Sequence, residues 1–455
     1  MLRFAALAFS LLFGLLALSW AGAAPRDANF DSASAPAVAV AAPLSAPGVL
    51  RVWGEDASGQ LGNGSPLMRK ELPVAQGSLT NVIQVDAGTS HSVALLSDSS
   101  VVTWGDDDYG QLGDGFPLAD QASPVMVEGL GPVKAISAGA YFTLALLKNG
   151  EVRAWGTDGE GQLGNGAPAG NRAAPVAVDG LSDAVAISAG MEHAMALLSD
   201  GTVVAWGRNY EGQIGNGEFS FDGVPAPVEV QGLSGVSAVS AAGYHSLALM
   251  DDGSLMSWGS DGTGQLGNGP SSSADQPLPG PVSGLSGVTA IDSGLQFSLA
   301  LLSDGDVWAW GYDSNGQLGD GQNATVQPAP VQVSGLSDVR GIAAGSRASY
   351  AIAADSTVMA WGSDFYAQLG NGPGDGSSTT PIPVLSLTGV SGLGPGLGHA
   401  MAIRPLCQGR PATYAGGPGD DSFAGTAAND VAHLGAGDDG FLDYEDGDDL
   451  VCGGS

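Results

Sequence analysis

Basic residues are scarce in this 455-residue chain: 14 Lys plus Arg stand against 47 Asp plus Glu, a formal net charge of −33 at pH 7. A surface of that sign repels phosphate backbones and anionic lipid, so the composition argues against a nucleic-acid partner and leaves solubility, a salty habitat or a cationic partner as readings. Cysteine is limited to two residues, Cys407 and Cys452. The sequence has no Gly-x-Ser-x-Gly elbow, no phosphate-binding Gly-rich loop with its Lys, and no His-Glu-x-x-His helix, and with them go three familiar routes to hydrolase and nucleotide chemistry. The apolar run near the start, Phe4 to Leu18, falls short of the ~20 residues that a spanning helix needs.

That run fits an export signal. Arg3 precedes it and the small residues Ala21-Gly22-Ala23 follow, so residues 1–23 read as a signal peptide removed near Ala24. The expected location is secreted or cell surface, with no membrane span after signal cleavage. Residues 24–48, rich in Ala, Pro and Ser, read as a linker.

What the chain has in abundance is a repeat. Trp-Gly-x4-Gly-Gln-Leu-Gly-Asn-Gly begins at Trp53, and tryptophans at 53, 104, 155, 206, 258, 310 and 361 are each followed seven residues later by a glutamine, from Gln60 to Gln368. A second landmark, Gly-x-x-His, runs from Gly88–His91 to Gly396–His399, and in six copies its last residue lies 13 positions before a tryptophan. Trp53 and His399 are therefore the two halves of one unit, and pairing of Val49–Val52 with Ala400–Ile403 would close a ring and remove two sheet edges. Between the landmarks lie apolar runs split by Asn149-Gly150, Asp200-Gly201, Asp252-Gly253 and Asp304-Gly305, which signal tight hairpins. Asp98-Ser99 and Asp355-Ser356 lack the glycine and are expected to use another turn type. A further strand precedes each Gly-x-x-His, and Pro-Val pairs such as Pro124-Val125 suit an edge strand. About four short strands per ~50 residues make a propeller blade.

These motifs strongly resemble the repeat of the regulator of chromosome condensation family over about residues 49–404. The resemblance implies an all-β, seven-bladed propeller closed by its N- and C-terminal strands, and it specifies fold more than function. It also implies two classes of activity to weigh. Guanine nucleotide exchange is one; the export signal and the near-constant repeat spacing, which leaves no room for the large wedge insertion of exchange members, argue against it. Secreted members that resemble this family include β-lactamase-inhibitory propellers, which supports an exported interaction module instead.

Residues 405–455 change character. Gly416–Ala424 fits Gly-Gly-x-Gly-x-Asp-x-U-x, where U is a large apolar residue, and Asp430, Asp439 and Asp449 follow Asp421 at intervals of 9, 9 and 10. The segment resembles the repeats-in-toxin roll, which implies calcium held by Asp421, Asp430, Asp439 and Asp449, since hard Ca²⁺ takes six to eight oxygens. An acidic unstructured tail is the plainer reading. The chain ends at Gly453-Gly454-Ser455 in mid-repeat, as a truncated reading frame would. Cys407 and Cys452 bracket the segment, and in an exported protein such a pair is expected to form a disulfide.

Candidate catalytic groups do not assemble. His91, His193, His245 and His399 occupy one repeat position, filled elsewhere by Phe142, Phe297 and Ala348, so they are expected to be buried blade residues. The tryptophans are expected to pack between blades, and the residue three after each Trp, Asp in six copies and Asn209 in one, to bond turn amides. A propeller hydrolase or lyase would need an acid dyad breaking the seven-fold pattern near the channel, and no such break is expected. The remaining variation lies in the blade-end loops, where Tyr109, Tyr210, Tyr312 and Tyr366 stand beside charge, a composition suited to partner contacts. The sequence thus predicts a monomeric, non-enzymatic module that presents loops to a protein or glycan.

Overall fold

The computed structural model describes residues 47–64, 68–115, 118–166, 170–269, 274–322, 324–374, 376–407, 410–416, 422–424, 431–434, 440–442 and 450–452. The signal segment 1–23, the linker up to residue 46, and Asp421, Asp430, Asp439 and Asp449 lie outside the described residues.

Alternating apolar residues and turn glycines produce antiparallel blades. Blade 1 runs Val82–Ala87, His91–Leu96, Val101–Gly105 and Gln121–Met126, each strand paired to the next. Five four-stranded sheets repeat that order through Ser378–Pro383, forming blades 2 to 6. Blade 7 is assembled from both ends of the repeat region: Gly392–Pro395, His399–Cys407, Gly48–Gly54 and Lys70–Ala75. The expected closure is present, with Val52 opposite Met401 and Trp53 opposite Ala400; the strand starts one residue before the expected Val49. The first strands of successive blades touch one another in a complete circle, from blade 1 to blade 7 and back, and so line the axis. The Pro-bearing fourth strands sit at the rim, where a missing amide costs no ladder bond.

The core is divided among the seams. One cluster joins Val93, Leu95 and Val101 of blade 1 to Val133, Ile136 and Trp155 of blade 2; another joins Leu50, Val52 and Met401 of blade 7 to Val82 and Trp104 of blade 1. Each glycine of a Trp-Gly pair sits at an irregularity of the ladder with positive φ, 102° at Gly105, and a Cβ there would strike the Ser90 carbonyl. Only glycine fits both demands.

One expectation fails at the hairpins. Ser99 (φ 72°) and Ser356 (φ 65°) adopt the same left-handed turn as Gly150 and Gly201, with the same amide bond back to Leu96 and Ala353. At Ser356 a compensation is visible: its Oγ donates to the Ala415 carbonyl (2.9 Å) and accepts the Ala415 amide (3.0 Å), so the residue that the turn disfavours anchors the C-terminal segment.

That segment has the pairing of a two-sheet parallel roll. Tyr414–Ala415 lies parallel to Val431–His433, which lies parallel to Leu450–Cys452, while Ser422–Ala424 pairs with Gly440–Leu442. Tyr414 is opposite Ala432 and Phe423 opposite Phe441, so alternate nine-residue units share a sheet. The Cα atoms of Cys407 and Cys452 are 5.7 Å apart.

Candidate functional site

The motif residues spend their chemistry on the seams. Each tryptophan indole donates to the glutamine carbonyl of the preceding blade: Trp104 to Gln60 (2.8 Å), Trp155 to Gln111 (2.9 Å), and so on to Trp53, which completes the circle on Gln368 (2.7 Å). All seven indoles are fully buried. The Asp three residues after six of the tryptophans, and Asn209 after Trp206, accept the amide five residues on, as in Asp56 with Leu61 (3.0 Å), Asn209 with Ile214 (3.1 Å) and Asp313 with Leu318 (2.9 Å). Both roles match the sequence expectation.

The histidines are buried seam residues as well. His91 meets Thr143, His193 meets Ser246, His245 meets Ser298 and His399 meets Ser92, all between 2.8 and 3.0 Å and all across a seam. Burial pushes His91, His193 and His245 down to about 3 and His399 to about 4, which keeps the imidazoles neutral. The hydroxyl follows the imidazole: in the repeat register the residues across from Phe142 and Ala348 are Ala194 and Ala400. A buried ring nitrogen needs a partner, and an apolar ring does not. Phe297 is the exception, facing Ser349, whose Oγ keeps the bond to a Gln carbonyl that the His-paired hydroxyls also make: Ser349 to Gln317 (2.8 Å), as Ser92 to Gln60 (2.9 Å).

The seven-fold pattern does break at the axis, contrary to expectation. The first strands place Asp86, Ser137, Ser188, Ser240, Asp292, Ala343 and Gly394 in equivalent positions. Burial raises Asp86 to about 6, and burial with the charge of Asp86 raises Asp292 to about 7. Both carboxylates are nonetheless engaged: Asp86 accepts the amides of Ala87 (2.8 Å) and Ala138 (2.9 Å), and Asp292 those of Ser293 (2.8 Å) and Ala344 (2.9 Å). They pin one blade to the next, as Ser137 and Ser188 do through the amides of Ala189 and Ala241.

A different chemistry occupies the face carrying the loops after the first and third strands. There the third-strand loop of one blade leans on the first-strand loop of the next. The rings of Tyr109 and Tyr141 approach to 5.2 Å. Arg208 is clamped by Glu192 (2.9 Å) and Glu211 (3.0 and 3.2 Å), and its guanidinium lies 4.1 Å over Tyr210 and 5.0 Å over Tyr244. Burial of that guanidinium opposes its charge, but the two glutamates outweigh it and raise the pKa. Tyr210 also bonds Glu160 of blade 2 (3.2 Å) and packs on Phe221 at 5.2 Å. Phe221 is 77% exposed and Phe219 50% exposed. On blade 6, Phe365, 68% exposed, packs edge-on against Tyr366 at 4.9 Å.

Of the sequence-predicted contact residues, Tyr109, Tyr210 and Tyr366 are each the base of an aromatic pair. Tyr312 ends the strand Val307–Tyr312, partly buried, and no ring among the described residues packs on it. Sequence reasoning missed Phe219 and Phe221. They lie at the start of a rim strand, Ser220–Glu229, that runs 10 residues against six in blades 1 and 2, and the 52-residue interval after Trp206 does not single them out, since the same interval after Trp258 carries a six-residue rim strand. In blade 1, carboxylate oxygens of Asp106, Asp108 and Asp120 lie within 4.8 Å of one another, an acidic group largely open to solvent.

Comparison with known proteins agrees with this geometry. The RCC1-like domain model matches residues 49–402. The ultraviolet-B receptor UVR8 of Arabidopsis thaliana is 32% identical over 352 residues, covering 75% of this chain and 79% of the receptor. The regulator of chromosome condensation of Xenopus laevis is 28% identical, covering 71% and 81%. The crystal structure of Prp20p from Saccharomyces cerevisiae, in a study that also concerns binding to Gsp1p and histones, superposes with a TM-score of 0.73 at 24% identity, covering 80% of this chain and 93% of that one. With its ring of seam tryptophans and its closed seventh blade, the chain belongs to the RCC1-like domain family.

Proposed function

We propose that this protein is an exported, non-enzymatic interaction module whose loop face binds a protein partner. The observation that supports this most is the exposure of Phe221 and Phe365, each backed by a tyrosine that is itself held by neighbouring side chains or backbone. Large aromatics held in one geometry lose little entropy on binding and are the side chains on which interface energy concentrates. Relatives such as the regulator of chromosome condensation, and the Prp20p study with its histone and Gsp1p binding, add that propellers of this family serve protein partners. Capture from the native extracellular medium, quantified by mass spectrometry, tests the reading. The double variant Tyr210→Ala/Phe221→Ala should lose at least tenfold of the partner retained by the unaltered protein, the sum of two contacts of about 1 kcal/mol or more. Equal retention would move the site elsewhere.

The C-terminal roll is proposed to take calcium on Asp421, Asp430, Asp439 and Asp449, with a Cys407–Cys452 disulfide closing the segment. Its support is the parallel pairing of alternate nine-residue units and the approach of the two cysteines. Binding energy then becomes folding energy for the roll alone. Limited proteolysis C-terminal to Arg404 should be fast in chelator and slow in calcium, and reduction should weaken that difference. Equal rates in both would make the segment a plain acidic extension.

A further inference from the structure

The loops after the third strands face one electrostatic problem six times: the Asp three residues after six of the seven tryptophans is buried, and its Oδ1 is used by the turn amide. The other oxygen needs a donor or a positive charge nearby. Blade 4 supplies Asn268, which donates to Asp261 Oδ2 at 3.2 Å. Blade 3 avoids the charge with Asn209, which donates to Asn216. Blade 7 places Lys70 near Asp56, and blade 2 places Arg172 near Asp158; both attract the carboxylate charge. In blade 1 the Ala119 amide donates to Asp107 Oδ2 at 3.3 Å.

Blade 5 uses none of these devices. The asparagine position is Asp320, which cannot donate as a carboxylate, and the rim-strand residue in the register of Lys70 and Arg172 is Gln327. Asp313 is fully buried, its Oδ2 has no hydrogen-bond partner, and Asp320 Oδ2 is likewise buried and without one. The charge of Asp320 acts on Asp313 in the unfavourable direction. Asp320 Oδ1, by contrast, is used, accepting the Gln322 amide at 2.8 Å. Among the described residues, these two carboxylate oxygens thus meet neither a donor nor a countercharge.

We propose that the blade 5 loop is a cation site, with Asp313 and Asp320 as the carboxylate ligands of a hard, oxygen-preferring ion of the calcium class. Such an ion prefers carboxylate and carbonyl oxygens and inverts the local penalty: the repulsion that destabilises the bare loop becomes the binding energy. The site is separate from the nine-residue roll and from the aromatic loop contacts, so it stands or falls independently of both.

The test is hydrogen exchange of peptides spanning residues 312–322 in the full chain, titrated with calcium chloride after chelation, alongside Asp320→Asn. That substitution copies blade 4 and is expected to fold. Calcium should slow exchange in this loop at least tenfold in the unaltered protein. In Asp320→Asn the loop should be protected from the start and indifferent to calcium. No calcium effect on the unaltered loop would overturn the proposal, as would an Asp320→Asn loop that still responds. Protection that instead grows as pH falls from 7 to 5 in chelator, without a calcium effect, would also overturn it and assign the pair a shared proton.

Discussion

Trp206 and Arg208 are two residues apart and belong to different regions of the molecule. Trp206 is fully buried, fills the seam against blade 2 and donates to Gln162. Arg208 rests on the loop face among Tyr210, Tyr244, Glu192 and Glu211. The first position is filled the same way in every blade because every seam presents the same surfaces. The second varies around the ring, from Glu55 and Asp106 through Thr157, Ser260 and Tyr312 to Ser363, because nothing in the ring depends on it. The propeller therefore separates what holds the fold from what the fold displays, and that separation can be attacked from either side.

The largest effect should come from the closure. Deleting residues 48–54 removes Trp53 and the strand opposite His399–Pro405, exposes a sheet edge and opens the ring. The cooperative melting transition should disappear or fall far below that of a protein trimmed only to residue 46, as followed by calorimetry. An unchanged transition would mean that blade 7 contributes little to the seams beside it.

A smaller effect separates two kinds of seam. His399→Phe with Ser92→Ala copies the Phe142–Ala194 seam and removes one buried imidazole. The folded pKa of His399, about 4, lies below the ordinary value of 6.5, so as pH falls below 6.5 the unfolded chain takes the proton first and stability is lost down to about 4. Asp86 and Asp292 act in the opposite sense: their raised folded values, about 6 and 7, mean that the folded state takes the proton first, and their contribution declines as pH rises through that range. The double variant keeps the acids and loses one histidine. Relative to the unaltered protein it should gain about 2 kcal/mol between pH 7 and pH 5 in urea unfolding, the linkage of one group over about 1.5 pH units. A difference independent of pH would show that His399 is not held neutral by its seam.

The sequence revealed the scaffold almost completely because its residues recur at fixed spacing: period, closure, hairpins and the buried roles of Trp, Asp and His were all legible. The misses have physical causes. Ser99 and Ser356 were assigned to another turn because glycine usually fills a positive φ, yet the docking of Ala415 on Ser356 is a long-range fact with no local signature. Asp86 and Asp292 stand out once the first strands are superposed, but the line of equivalence runs along a strand whose other residues drift. Tyr109, Tyr210 and Tyr366 were legible as exposed variation. So was Tyr141, which varies within Gly-x-x-His, but the ring partner Phe221 was not, since its contact with Tyr210 depends on how the loops lean. Asp313 reads in the sequence as an ordinary turn residue, since nothing local signals the burial of its outer oxygen.

The most direct measurement compares Trp206→Ala with Arg208→Ala, each read for melting temperature and for partner capture. Trp206→Ala should cost about 3–5 kcal/mol and lower the melting temperature by roughly 10 °C, because it empties a seam and orphans the Gln162 carbonyl. Arg208→Ala should shift the melting temperature by no more than about 2 °C, since its ion pairs are partly exposed, while capture falls at least tenfold. A loss of stability at Arg208 equal to that at Trp206, or unchanged capture by Arg208→Ala, would contradict the separation of scaffold from display.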